Sequence, residues 1–253
     1  MALLEVHQLS IQFGGVKAVQ SVSFSVDAGI VYAVIGPNGA GKTTLFNLIT
    51  GIYAPSAGSI VLDGQPIQGK SPENLAQLGL ARTFQNLQIC MNMSAIENVM
   101  VGAHLRLDRN VLKSALRWPS IRSRDRELHA EAMDLMHFVG LEPYINARAD
   151  AMPYGALKRL EIARALAMKP RLLFLDEPAA GLNPKETKEV DALIRKVADS
   201  GLTVVLVEHD MKMVMNLSDR ILVLDYGRKL AEGTASEVRS NPQVIAAYLG
   251  AHP

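Results

Sequence analysis

Residues 30–44 read Ile30-Val31-Tyr32-Ala33-Val34-Ile35-Gly36-Pro37-Asn38-Gly39-Ala40-Gly41-Lys42-Thr43-Thr44. The first six form a continuous apolar run rich in β-branched residues, the pattern of a strand buried on both faces. The run passes directly into G-x-x-x-x-G-K-T, and Leu45-Phe46-Asn47-Leu48-Ile49-Thr50 then takes helical spacing. A glycine-rich turn between a buried strand and a helix is the phosphate-cradling loop of nucleoside triphosphatases. Gly36, Gly39 and Gly41 let backbone N–H groups turn inward around a phosphate chain. Lys42 reaches the β- and γ-phosphates, Thr43 offers a hydroxyl to Mg²⁺, and the helix that follows presents its positive end to the anion.

Working outward, short apolar runs alternate with helical patterns, which predicts an α/β fold with a mostly parallel sheet. Ser21–Val26 alternates with period two and predicts a half-exposed antiparallel strand. It opens an N-terminal antiparallel β subdomain. Gly58–Leu62 and Ala81–Phe84 are further strand candidates, followed by Leu172–Asp176, Thr203–Val207 and Ile221–Asp225. Helices are expected at Pro184–Ser200 and Met211–Leu217. Asn183-Pro184-Lys185-Glu186 and Thr234-Ala235-Ser236-Glu237 carry capping-box patterns. From about residue 88 to 158 the β-branched runs thin out and helical patterning dominates, with four methionines between Met91 and Met133. We read this span as a helical subdomain inserted into one domain covering 1–253.

The 253 residues carry 26 Lys+Arg and 25 Asp+Glu, so the net charge is +1. That balance argues against nucleic-acid binding through bulk charge. With 49% hydrophobic and 20% charged residues the chain is globular. One cysteine, Cys90, excludes an internal disulfide and a cysteine zinc cage, and fits a reducing compartment. No apolar run approaches the ~18 residues of a membrane span, and the N-terminus lacks the basic region of a signal peptide. A protein that is soluble or peripheral to a membrane is expected. Seven basic residues between Arg106 and Arg126 read first as a solvated helical face, and second as a surface for anionic lipid or an acidic partner.

Three other segments carry chemistry. Leu172-Leu173-Phe174-Leu175 ends in Asp176-Glu177, two carboxylates at the sheet edge where α/β folds bind ligands. Asp176 suits Mg²⁺, and Glu177 suits polarisation of an attacking water. His209 follows a neighbouring strand, which places it near the same edge. Gln85 follows Ala81–Phe84, where an amide can orient water or meet Mg²⁺. Phe13 is an aromatic upstream of the phosphate loop, as suited to a base as to a core.

With the phosphate loop, Gln85, Asp176-Glu177 and His209 in this order, the chain resembles the ATP-binding subunits of ATP-binding-cassette (ABC) transporters along essentially its whole length. The stretches YGALKRLEIARAL (154–166), LDEPAAGLNPKET (175–187), VEHDMKMVMNLSDRILVLDYG (207–227) and NPQVIAAYLG (241–250) are more particularly similar to the branched-chain amino-acid importer ATPases. The resemblance implies an ATP- and Mg²⁺-dependent hydrolase on the cytoplasmic face of the plasma membrane. It also implies two membrane-spanning permease subunits, a second ATPase subunit, and a periplasmic or extracellular amino-acid-binding protein.

Position by position, it implies adenine stacking by Phe13 and a phosphate loop from Gly36 to Thr44. Thr43, Gln85 and Asp176 would serve Mg²⁺, Glu177 would be the general base, and His209 would hold the γ-phosphate. The family's signature loop, L-S-G-G-Q, falls on Met152-Pro153-Tyr154-Gly155-Ala156. Pro153 lacks both the serine hydroxyl and a backbone N–H, and Ala156 lacks the amide. Because Pro153–Ala156 would cap ATP held by the opposite subunit, a weakened cap there implies a partner ATPase different from this one. Lipopolysaccharide extraction, urea import and non-transport ABC ATPases are the alternatives within the family. The guanine-reading Asn-Lys-x-Asp pattern is absent.

Overall fold

The computed structural model describes residues 2–106 and 119–249. Arg109, Lys113 and Arg117 of the basic stretch lie outside the described residues. The chain divides into two compact units, Met1–Arg82 with Arg171–Pro253, and Thr83–Pro170.

The first unit holds two sheets. Strands β1 (Ala2–Phe13), β2 (Val16–Asp27), β4 (Ala57–Leu62) and β5 (Gln65–Pro66) form an antiparallel sheet in the order β2-β1-β4-β5. In β2 the residues Val22, Phe24 and Val26 turn inward while Ser25 and Asp27 stay exposed, as the period-two pattern predicts. Strand β1 is not predicted from the sequence. Register shifts against β2 at several points break its alternation, so no clean period survives.

The second sheet is β10-β9-β3-β8-β7-β6, with β3 (Val31–Ile35), β6 (Leu80–Arg82), β7 (Leu172–Asp176), β8 (Thr203–Val207), β9 (Arg220–Asp225) and β10 (Arg228–Gly233). Strands β6 to β9 and β3 run parallel, and β10 is antiparallel to β9. Every residue of β3, β7 and β8 is buried, which accounts for their unbroken apolar sequences. The strand expected at Ala81–Phe84 is shorter and begins one residue earlier. Strand β10 is missed because Arg-Lys-Leu-Ala-Glu-Gly has no apolar run and sits at the sheet edge.

In chain order the helices are α1 (Lys42–Ile49), α2 (Pro72–Gln77), α3 (Ala95–Gly102), α4 (Pro119–Phe138), α5 (Tyr154–Leu166), α6 (Pro184–Asp199), α7 (Met211–Leu217), α8 (Ala235–Ser240) and α9 (Pro242–Leu249). Both predicted capping boxes form. Asn183 accepts from the N–H groups of Lys185 and Glu186 while Glu186 reaches back to Asn183, and Thr234 pairs with Glu237 in the same way. Ser94 and Glu97 make a third box, in Ser94-Ala95-Ile96-Glu97. The described part of the second unit is helical, with α3 packed on both α4 and α5. Among the described residues no helix is long and apolar enough to cross a membrane.

Parallel strands leave the sheet on one edge. The residues following β3, β7, β8 and β9 therefore gather there, around the central strand β3. Beneath them Phe46 of α1 meets Phe174 of β7 edge to face at 4.9 Å, seating the first helix on the sheet.

Candidate functional site

Asn38 through Thr44 line a cleft of about 630 Å³, together with Gly15–Ala18, Gln20, Glu177, Tyr226 and Gly227. The loop between β3 and α1 is held from below. Gly36, Gly39 and Gly41 all have positive φ, and a Cβ on Gly41 would stand 2.5 Å from the Ala18 carbonyl oxygen. The Gly227 N–H donates to the Ala40 carbonyl at 3.0 Å, and the Gln20 N–H donates to the Gly227 carbonyl at 2.7 Å. The loop, β2 and the turn after β9 are thus stitched into one backbone frame.

Lys42 Nζ donates to the carbonyls of Gly36 at 2.7 Å and Pro37 at 3.1 Å. Burial lowers its pKa, and Glu177 opposes that shift. The ammonium therefore sits across the loop mouth with Glu177 as its nearby counter-charge.

Glu177 adopts the left-handed conformation, φ 49°, and its N–H donates to the Val207 carbonyl at 3.0 Å. This strained turn at the end of β7 lets Asp176 and Glu177 diverge. Glu177 lines the cleft, whereas Asp176 is buried and accepts from Arg82 Nη2 at 2.8 Å. His209 Nδ1 lies 3.9 Å from Glu177 Oε2 and 3.7 Å from Glu208 Oε2, with its side chain 65% exposed. Glu208, fully buried, accepts from the N–H groups of Ala179 and His209. It ties the loop after Glu177 to the residue bearing the imidazole.

The fold therefore collects Asn38–Thr44 and Glu177 in one cleft, with Asp176 and His209 beside Glu177. Phe13 does not line the cleft. It is exposed and packs edge-on against Tyr53 with ring centroids 5.2 Å apart. Gln85 and Pro153–Ala156 belong to the second unit. There Pro153 caps the start of α5 without a side-chain hydrogen bond, and Tyr154 is exposed while Gly155 and Ala156 are buried. Sequence reasoning missed Arg82, Glu208, Tyr226 and Gly227. Of these only Glu208, in Val-Glu-His-Asp directly after a buried strand, carried a visible signal.

Among the described residues no three His, Cys, Asp or Glu side chains gather to cage a metal. What the site offers is sparse and made of oxygen, the Thr43 hydroxyl and the Asp176 carboxylate. That set fits Mg²⁺, which takes its remaining ligands from water and phosphate.

A phosphate loop at the central strand of a parallel sheet, with an acidic pair and a histidine at the same edge, defines a P-loop nucleoside triphosphatase. The ABC transporter family profile matches residues 19–180, and a profile described as branched-chain amino acid ATP-binding cassette transporter matches residues 228–253. The chain belongs to the ABC transporter family, as an ATP-hydrolysing subunit that binds nucleotide and serves a membrane permease. It is 47% identical to the high-affinity branched-chain amino acid transport ATP-binding protein BraF of Pseudomonas aeruginosa, over 98% of both chains. It is 44% identical, with the same coverage, to LivG of Escherichia coli, which carries the same description. A solved ABC-transporter cassette in its ADP conformation superposes with TM-score 0.86 at 31% identity, covering 99% of each chain. A nucleotide-free cassette gives 0.85 at 30% identity, covering 98% of this chain and 99% of the other.

Proposed function

We propose that this subunit powers uptake of branched-chain amino acids. The observation that carries the reading is near-full-length identity of 44–47% to two ATPases so described, reinforced by the matching profile at residues 228–253. In this reading the protein sits on the cytoplasmic face of the plasma membrane. It works with two permease subunits, a second ATPase and an external amino-acid-binding protein. The second unit is the helical subdomain, and the permease docks on it.

Lys42 and the N–H groups of residues 38–44 hold the β- and γ-phosphates. Thr43, Gln85 and Asp176 are the residues that would serve Mg²⁺. When bound, the metal would supply positive charge against the phosphate oxygens. Glu177 accepts a proton from the attacking water, and His209 donates to the γ-phosphate while standing beside Glu177. Phe13, exposed and outside the cleft lining, is the aromatic that the family pattern offers to the adenine. Pro153–Ala156 cap the ATP held by the partner subunit. Since ATP is gripped from both sides, it favours the closed pair, and loss of the γ-phosphate removes that bias.

Co-expression with a candidate permease tests the assignment. A branched-chain amino-acid-binding protein should stimulate ATPase activity in the reconstituted complex, and Glu177→Gln should bind ATP yet lose turnover by at least ~100-fold. Stimulation by urea-binding or lipopolysaccharide components instead would overturn the substrate, and parent-rate hydrolysis by the variant would overturn Glu177 as the base.

A further inference from the structure

Helix α5 carries three charged residues at a spacing of three, Lys158, Glu161 and Arg164. Lys158 and Glu161 are only 3% and 5% exposed, an unusual state for either type. Among the described residues none of the three makes a direct side-chain salt bridge, although Lys158 and Arg164 both act electrostatically on Glu161. Lys158 Nζ donates to the Gln85 carbonyl at 3.3 Å, and Glu161 Oε1 accepts from the Gln88 N–H at 3.3 Å. The Phe84 N–H also faces the Glu161 carboxylate. Arg164 Nη1 donates to the Gln88 carbonyl.

One helical face therefore grips the backbone on both sides of Gln85, at residues 84, 85 and 88. Burial pushes the Glu161 carboxyl up, while the Gln88 N–H, Lys158, the Phe84 N–H and Arg164 oppose that shift. Segment 84–88 has no regular secondary structure of its own, so side-chain bonds such as these contribute to its order. The same helix begins at Pro153–Ala156.

We infer that Lys158 and Glu161 are positioning residues for Gln85. They clamp its loop to the helix that carries the cap over the partner's ATP, so that the cap and Gln85 move as one body. The inference rests on the proposed role of Gln85. It extends that role to two side chains that need touch neither nucleotide nor metal.

Three variants test it in the assembled complex: Glu161→Ala, Glu161→Gln and Gln85→Ala. The readouts are hydrogen exchange of the 84–88 amides, kcat and KM for ATP, and thermal unfolding. Glu161→Ala should speed exchange at Phe84 and Gln88 at least tenfold and lower kcat about tenfold, with KM for ATP changed less than twofold. Glu161→Gln, which keeps an acceptor oxygen, should restore most of both. Unchanged exchange in Glu161→Ala would overturn the clamp. So would equal loss in Ala and Gln variants, because a general packing defect does not distinguish them. Should exchange respond as expected while Gln85→Ala hydrolyses ATP at the parent rate, the clamp stands and the role given to Gln85 falls.

Discussion

Arg82 Nη2 donates to Asp176 Oδ2 at 2.8 Å, joining the last residue of β6 to the last residue of β7 through two side chains each 7% exposed. A second guanidinium nitrogen, Nη1, donates at 2.7 Å to both Asn47 Oδ1 and Thr50 Oγ1 of the α1 segment. The carboxylate proposed for Mg²⁺ is thus aimed by an arginine that also anchors the helix behind the phosphate loop.

Removing one member of a buried pair strands the other. Arg82→Ala should lower stability by about 3–5 kcal/mol. Arg82→Lys should fall between that variant and the parent, because an ammonium cannot reproduce the fork to Asp176, Asn47 and Thr50. Urea midpoints at equal m-values measure both. A loss under ~1 kcal/mol for Arg82→Ala would show that the pair does not hold this edge together.

Much of this architecture was legible because its chemistry needs particular residue types in contiguous runs. The phosphate loop must be Gly-rich and end in Lys-Thr, and β3, β7 and β8 must be apolar throughout because both of their faces are covered. Arg82 was invisible for the opposite reason. Its partners lie 94, 35 and 32 positions away, so only the folded sheet brings them together. Strand β1 escaped because its bulges scramble the period, and Tyr226 and Gly227 because a turn's contact with the phosphate loop leaves no local pattern. The signature loop is proposed at Met152–Ala156 on the family pattern alone, from which Pro153 departs.

Gly227 shows how such a hidden contact acts. Its φ is +76°, and a Cβ there would stand 2.6 Å from the Ala18 carbonyl oxygen. Gly227→Ala must displace either β2 or the turn that donates to Ala40. Strain of ~1–3 kcal/mol placed on the phosphate loop should weaken ATP binding about tenfold. Gly64→Ala is the control, since its φ is +74° but a Cβ there meets nothing within 4 Å. Equilibrium binding of a fluorescent ATP analogue should separate the two, and equal affinities would dismiss the stitched frame.

Asp191 on α6 gives a pH-dependent prediction. One of its oxygens, Oδ1, is buried and has no hydrogen-bond partner among the described residues. Burial first, then Asp210 and Glu208, push its pKa up from 3.8 to about 6. A carboxyl raised on folding contributes stability that is fully present below its unfolded pKa and is lost as pH rises through its folded pKa. Asp191→Asn should therefore stabilise the protein at pH 7.5 by about 1 kcal/mol, after allowing for solvent screening of a partly exposed side chain. The gain should shrink between pH 6 and 4 and vanish below. Chemical denaturation at pH 4 and pH 7.5 checks the crossover, and a gain independent of pH would assign the effect to something other than titration.

Pro153 carries the prediction about assembly. It caps α5 with φ −60° and ψ 151°, a backbone that serine adopts without strain, and it offers the helix no side-chain bond. Pro153→Ser restores a hydroxyl at the position proposed to cap the partner's nucleotide and adds a cap of about 1 kcal/mol to the helix. If this chain works beside a different ATPase, the variant should raise hydrolysis at the site whose Lys42 equivalent belongs to that partner. It should leave hydrolysis at its own Lys42 unchanged. Inactivating each site in turn, by replacing its phosphate-loop lysine, separates the two rates. A complex built from this chain alone that turns over fully with Pro153 in place would refute the mixed pair, because both of its caps would then be proline caps and neither would be deficient.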